Sequence, residues 1–149
     1  MRKAILSSLA AGLATVAFAA TPIMPRHPAP SPDASKIAFS WQGDIWIVPA
    51  GGWTAQRVTA NPSYDHHPVW LPGGQQLAFV SSREGNDDIY VVDLEVGTPR
   101  RLTFHEAADL VMGALGSDLV FTSRRHEAHD RMPAVYSPST SMYSWPSAS

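Results

Sequence analysis

Lys36-Ile37-Ala38-Phe39-Ser40 returns as Gln76-Leu77-Ala78-Phe79-Val80, and Asp44-Ile45-Trp46-Ile47-Val48 returns as Asp88-Ile89-Tyr90-Val91-Val92. Arg57-Val58-Thr59 then returns as Arg101-Leu102-Thr103. The spacing is 40 residues at Pro32/Pro72 and 44 at Thr59/Thr103. The extra four sit in the loop after Ser81, where an insertion costs little. Short apolar strands recurring at such a period are the mark of a β-propeller blade.

Working outward, each unit reads as strands separated by tight turns. In the first, Lys36 to Trp41 and Asp44 to Pro49 are strands, joined by Gln42-Gly43, and Ala55 to Thr59 is a shorter third. Ser31-Pro32-Asp33-Ala34 is a turn, with proline presetting φ. In the second, Val69-Trp70, Gln76 to Ser81, Asp88 to Leu94 and Pro99 to Thr103 are strands. The apolar runs do not alternate, which predicts sheets buried on both faces by neighbouring blades. Trp46 and Tyr90 recur with the packing period and are expected as wedges between blades.

The third unit is degraded. Leu119-Val120-Phe121-Thr122-Ser123 repeats Leu77 to Ser81 at an offset of 42, but Trp70 maps to Ala114. Pro133-Ala134-Val135-Tyr136 starts another strand, and the pattern then stops. Residues 137–149 are rich in Ser and Pro and read as a disordered tail. The break inside a strand suggests a truncated or frameshifted product. The fold class is thus all-β, a partial β-propeller of about two and a half four-stranded blades behind an N-terminal signal helix.

At the N-terminus, basic Met1-Arg2-Lys3 precedes an apolar run from Ala4 to Phe18, and Ala17-Phe18-Ala19 supplies a small-residue cleavage box. Residues 1–19 therefore read as a secretory signal peptide, and the run is short for a membrane span. The chain is expected in the periplasm or outside the cell after cleavage near Ala19. Residues 20–28 read as a Pro-rich linker and residues 29–136 as the blades. The 149 residues carry 11 basic and 13 acidic side chains, with no basic stripe, which argues against nucleic acid. There is no cysteine, hence no disulfide, thiol nucleophile or thiolate metal site.

Several clusters hint at chemistry. His126-Glu127-Ala128-His129 falls one residue short of the spacing that puts two zinc-binding histidines on one helical face. His66-His67 precedes Pro68 in a strand, where adjacent side chains point to opposite faces, so the pair is expected not to chelate one metal. Structural, hydrogen-bonded histidines are expected instead. Asn86-Asp87-Asp88 lacks the spaced oxygens of a calcium loop. Asp44 and Asp88 precede equivalent strands and are expected to accept bonds from turn amides. No Gly-x-Ser-x-Gly elbow and no phosphate loop is present. No catalytic, cofactor-binding or metal-binding residue is assigned.

The units Leu77-Ala78-Phe79, Gly85-Asn86-Asp87-Asp88-Ile89-Tyr90-Val91-Val92-Asp93 and Arg100-Arg101-Leu102-Thr103 resemble the TolB-type propeller repeat over about residues 29–132. Asn61-Pro62-Ser63-Tyr64-Asp65 and Gly97-Thr98-Pro99-Arg100-Arg101-Leu102-Thr103-Phe104-His105 resemble the N-terminal propeller of tricorn-type serine peptidases. The first turn carries Ala34 where the repeat usually has Gly. The resemblance implies a propeller that admits peptides to a peptidase half lying far downstream, without catalytic residues of its own. Two alternatives go with it: a TolB-like periplasmic interaction propeller, and the propeller leader of an exported amidohydrolase. A peptide or protein ligand is the implied partner. A ring of fewer than four blades is incomplete, so weak stability and self-association through open blade faces are expected.

Overall fold

The computed structural model describes residues 24–124, 132–137 and 141–144, with side chains over 24–124. The signal segment 1–19 and the His126–His129 cluster lie outside the described residues. The first sheet is built from β1 (Arg26–Pro30), β2 (Lys36–Trp41), β3 (Asp44–Pro49) and β4 (Gln56–Arg57). The second has β5 (Asp65–Trp70), β6 (Gln76–Ser81), β7 (Asp88–Asp93) and β8 (Arg100–Arg101). The third has β9 (Asp109–Leu115), β10 (Asp118–Ser123), β11 (Met132–Ser137) and β12 (Ser141–Ser144). All pairings are antiparallel and all connections join neighbours.

The repeat in sequence is a repeat in register. Phe39 pairs with Trp46 as Phe79 pairs with Tyr90, and Trp46 with Arg57 as Tyr90 with Arg101. The sheets meet through their first strands, β1 against β5 and β5 against β9, which defines an inner edge. Strands β4 and β8 lie at the opposite edge. Equivalent main-chain bonds cross the two seams: Asp65 N–H donates to Gly43 O at 2.8 Å, and Asp109 N–H to Asp87 O at 2.7 Å. The Trp70 indole N–H adds a bond to Ala29 O at 2.9 Å.

Two apolar clusters fill the seams. One joins Ala38 and Ile45 of the first sheet to Leu77, Phe79, Tyr90 and Val92 of the second. The other joins Ala78, Val80, Ile89 and Val91, on the opposite face of the second sheet, to Val111, Leu119 and Phe121 of the third. The middle sheet is therefore buried on both faces, which is why its apolar residues do not alternate. Each fully buried Leu or Phe here is worth about 1.5–3 kcal/mol of transfer free energy. Tyr90 is an inter-blade wedge, as expected. Its counterpart Trp46 is only half-buried, because it faces the outer side of the first sheet.

The strand ends fix where the sheets begin and stop. The linker expected over residues 20–28 ends early, because Arg26 to Pro28 already belong to β1. Pro28 fits because β1 is an edge strand with a bulge: Arg26 pairs with Ser40 and Ala29 with Ala38, leaving His27-Pro28 opposite Phe39. The same bulge recurs in β5, where His66 pairs with Val80 and Val69 with Ala78. The third sheet has four strands, and the last of them, Ser141–Ser144, pairs with β11. Among the described residues no helix is long and apolar enough to cross a membrane.

Candidate functional site at the inner end of the first two blades

The bulges of β1 and β5 decide where the histidines go. His27 and His67, each followed by proline, adopt φ of 52° and 50°. A non-glycine residue with positive φ is uncommon, although histidine tolerates it better than most. The turn it makes cancels the alternation of the strand. His66 and His67, expected on opposite faces, instead lie with their Nδ1 atoms 2.6 Å apart. The His67 ring stacks on His27 across the seam, with centroids 3.6 Å apart. Three imidazoles from two blades thus meet at one point.

The hydrogen bonds order the tautomers. Ser40 Oγ donates to Arg26 O at 3.1 Å, so it accepts from His27 Nδ1–H at 2.7 Å. His66 Nε2 faces Asp87 Oδ1 at 3.6 Å, which orients its N–H outward and leaves Nδ1 to accept from His67. Burial lowers the pKa of all three rings, and it is the largest cause in each. Mutual repulsion adds to it at His67, which falls to about 4, while Asp87 opposes the shift at His66 and His67. The cluster is neutral near pH 7. Ser40 is 3% exposed and its proton is committed to a carbonyl, so the Ser40–His27 pair does not present an open nucleophile.

Ion pairs surround the cluster at the same end. Arg83 Nη2 bridges both oxygens of the buried Asp65, at 3.0 and 3.2 Å. Asp44 and Asp88, expected to cap turns, instead pair with Arg57 and Arg101, each at 2.6 Å. Arg57 and Arg101 both lie 13 positions downstream of their partners, a recurrence visible in the sequence. Thr103 completes the second pair by donating to Asp88 Oδ1 at 3.2 Å. Burial pushes the Asp88 carboxyl up, against the pull of Arg101 and Thr103.

Asn86, Asp87 and Asp88 diverge rather than converge. Asn86 donates to His105 O, Asp87 faces His66, and Asp88 takes Arg101. Among the described residues no group of three or more His, Cys, Asp or Glu is placed to hold a metal ion. A recess of about 570 Å³ opens beside the first blade, lined by Arg26, Asp44, Arg57, Asn61 and Tyr64 among others. Tyr64 also lies against His66, with ring centroids 5.0 Å apart. The signal that could have located this end is the pair His27-Pro28 and His67-Pro68, spaced 40 apart like Pro32 and Pro72.

Consecutive four-stranded antiparallel sheets, packed face to face and meeting through their first strands, define a β-propeller assembled from a tandem repeat. The model of the tricorn protease N-terminal beta propeller domain matches residues 24–142, and the chain belongs to that family. It is 35% identical over 74 residues to tricorn protease homolog 1 of Streptomyces coelicolor, covering 50% of this chain and 7% of that one. It is 36% identical over 67 residues to the TolB homolog of Chlorobium luteolum, covering 45% of this chain and 15% of the other. Among solved structures, a putative TolB from Agrobacterium tumefaciens superposes with a TM-score of 0.69 at 26% identity, over 79% of this chain and 44% of that one. The chain therefore corresponds to a small part of these curated relatives.

Proposed function

We propose that this chain is an exported propeller segment that receives extended peptides at the inner end of its blades, without catalytic residues of its own. The match to the tricorn propeller family over residues 24–142 carries the reading. The composition of the inner end supports it. Neutral imidazoles, the Tyr64 ring and the Arg26 and Arg57 guanidiniums offer hydrogen bonds and stacking to a peptide without demanding one sequence. Export rests on the reading of residues 1–19 as a signal.

The test is fluorescence anisotropy of labelled peptides of mixed sequence titrated with the purified chain. Saturable binding that weakens in the His67→Ala and Arg26→Ala chains is expected, together with no turnover of the peptides. No binding, or binding indifferent to both substitutions, overturns the reading, and so does hydrolysis by this chain. The identities to TolB proteins favour a second reading, a propeller that docks folded proteins. That reading expects a folded partner to bind where short peptides do not.

A further inference from the structure

A second recess lies at the other end of the same two blades. Lys36 and Gln56, where β2 and β4 begin, and Asp93, where β7 ends, all line it, so it opens away from the histidine cluster. It encloses about 490 Å³, within the roughly 300–1,000 Å³ of ligand clefts. It sits on the seam between the first and second sheets, so it does not depend on what lies beyond the outer faces. Its floor is apolar. Ile47, Val58 and Leu94 are half-buried, pack on the cluster that joins the two sheets, and line the recess with what remains exposed.

The walls carry charge unevenly. Asp93 and Glu95 of the second blade make no ion pair among the described residues. Asp93 accepts from the Glu95 and Val96 amides at 2.9 and 3.4 Å and from Gln76 Nε2 at 3.2 Å, which holds its pKa low and keeps it charged. Lys36 stands on the first blade, and Arg57 spends its guanidinium on Asp44 at 2.6 Å. Two free carboxylates against one ammonium leave the recess negative. Trp53 stands on the turn that leads into Gln56, at most about 11 Å from it along the chain. It is 91% exposed and holds φ 98° where the next unit has Gly97 at φ 76°. Burial does not repay that strain, and strained residues cluster where a side chain is needed for contact.

We propose that this recess binds an extended segment of a protein partner that carries a bulky apolar side chain and, two positions away, a lysine or arginine. Side chains two positions apart share one face of an extended chain. The apolar one enters above Ile47, Val58 and Leu94, and the basic one meets Asp93 and Glu95. Trp53 covers the segment from the solvent side, a role in which a rigid aromatic ring supplies contact area at little cost in entropy. The same two carboxylates reject an acidic segment. None of the residues at the histidine end takes part.

Fluorescence anisotropy with the full chain tests it. The probes are short labelled peptides with leucine and, two positions on, lysine, and counterparts with glutamate for the lysine or serine for the leucine. The leucine–lysine peptide should bind saturably and about tenfold tighter than either counterpart. Glu95→Lys should reverse the preference between the lysine and glutamate peptides, a result that loss of folding cannot produce. Trp53→Gly should weaken binding about fivefold while the chain keeps its strands by circular dichroism. The proposal is overturned by the absence of saturable binding, by a charge preference that survives Glu95→Lys, or by a Trp53→Gly chain that binds as the parent does. A serine peptide that binds as well as the leucine peptide overturns it too.

Discussion

Arg83 holds both carboxylate oxygens of Asp65 through one guanidinium nitrogen, and Asp65 is wholly shielded from solvent. The same guanidinium lies 4.5 Å from the centre of the Tyr90 ring and 5.6 Å from that of Phe79. A buried pair contributes little net stability compared with an apolar replacement, but breaking it strands a charge. Arg83→Met is therefore expected to cost about 3–5 kcal/mol, read from the shift of the urea midpoint at constant slope. Arg83→Lys should recover only part, since an ammonium stacks poorly on the ring and cannot also make the bond that Arg83 Nε–H donates to Ser81 Oγ at 2.9 Å. The double change Arg83→Met with Asp65→Leu should recover more than Arg83→Lys. An Arg83→Met chain within about 0.5 kcal/mol of the parent would show that the pair is not functionally buried.

Equivalent positions in the repeat should respond unequally to the same truncation. Leu77 is fully buried in the seam between the first two sheets, while Ile37, at the same place one unit earlier, is half-buried on an outer face. Leu77→Ala is expected to cost about 2–5 kcal/mol through lost transfer energy and a residual cavity. Ile37→Ala in the monomer should cost about 1 kcal/mol or less, because solvent can fill the space. Equal losses at low protein concentration would mean that the two sites share one environment.

The contrast between Leu77 and Ile37 also marks what could be read without a structure. Tandem apolar runs specify strands, their order and their pairing, because the period of the repeat and the period of the strand are both local properties. Tyr90 was legible as a wedge for the same reason. The bulge was not, because it turns on two residues in the left-handed region, and nothing in the alternation of β5 announces that His67 swings back beside His66. Pro28 reads as linker because its role as an edge-strand residue depends on which neighbour lies alongside. The Asp44–Arg57 and Asp88–Arg101 pairs were hidden by a similar distance in sequence, although their shared spacing was available.

Stability should fall on mild acidification, and the histidine cluster sets the window. His27, His66 and His67 have native pKa values below the usual 6.5, and His67 falls to about 4. Near pH 7 both folded and unfolded chains hold these rings neutral, and the native contacts are fully available. As pH drops below 6.5 the unfolded chain takes up protons that the native chain resists, so the unfolded state gains. The loss should run from about pH 6.5 down to about pH 4. Asp88, whose folded pKa is raised, acts in the opposite sense just above the ordinary carboxylate range. Asp33, lowered to about 2 by Ser31 and Ser35, contributes a further loss only below about pH 3.8. Urea midpoints at pH 7.5, 5.5 and 4.5 check the sign. His67→Gln should flatten the slope between the first two, and an unchanged slope would detach the cluster from the effect.

One exposed aromatic residue should be better replaced by no side chain at all. Trp53 sits at φ 98° and is 91% exposed, while Gly97, 44 positions on, holds the matching place at φ 76°. A β-carbon in that region costs about 1–2 kcal/mol, and the Trp53 side chain returns almost nothing through burial. Glycine removes the strain but enlarges the unfolded ensemble, an offset of about 0.4–1 kcal/mol. Trp53→Gly is therefore expected to stabilise the chain by up to about 1 kcal/mol, seen as a raised urea midpoint. Ala34, at φ 57° where the next unit has Gly74 at φ 69°, should respond the same way to Ala34→Gly. If Trp53→Gly instead lowers stability by more than the unfolded-state offset of about 1 kcal/mol, the indole makes contacts in solution that its 91% exposure does not account for.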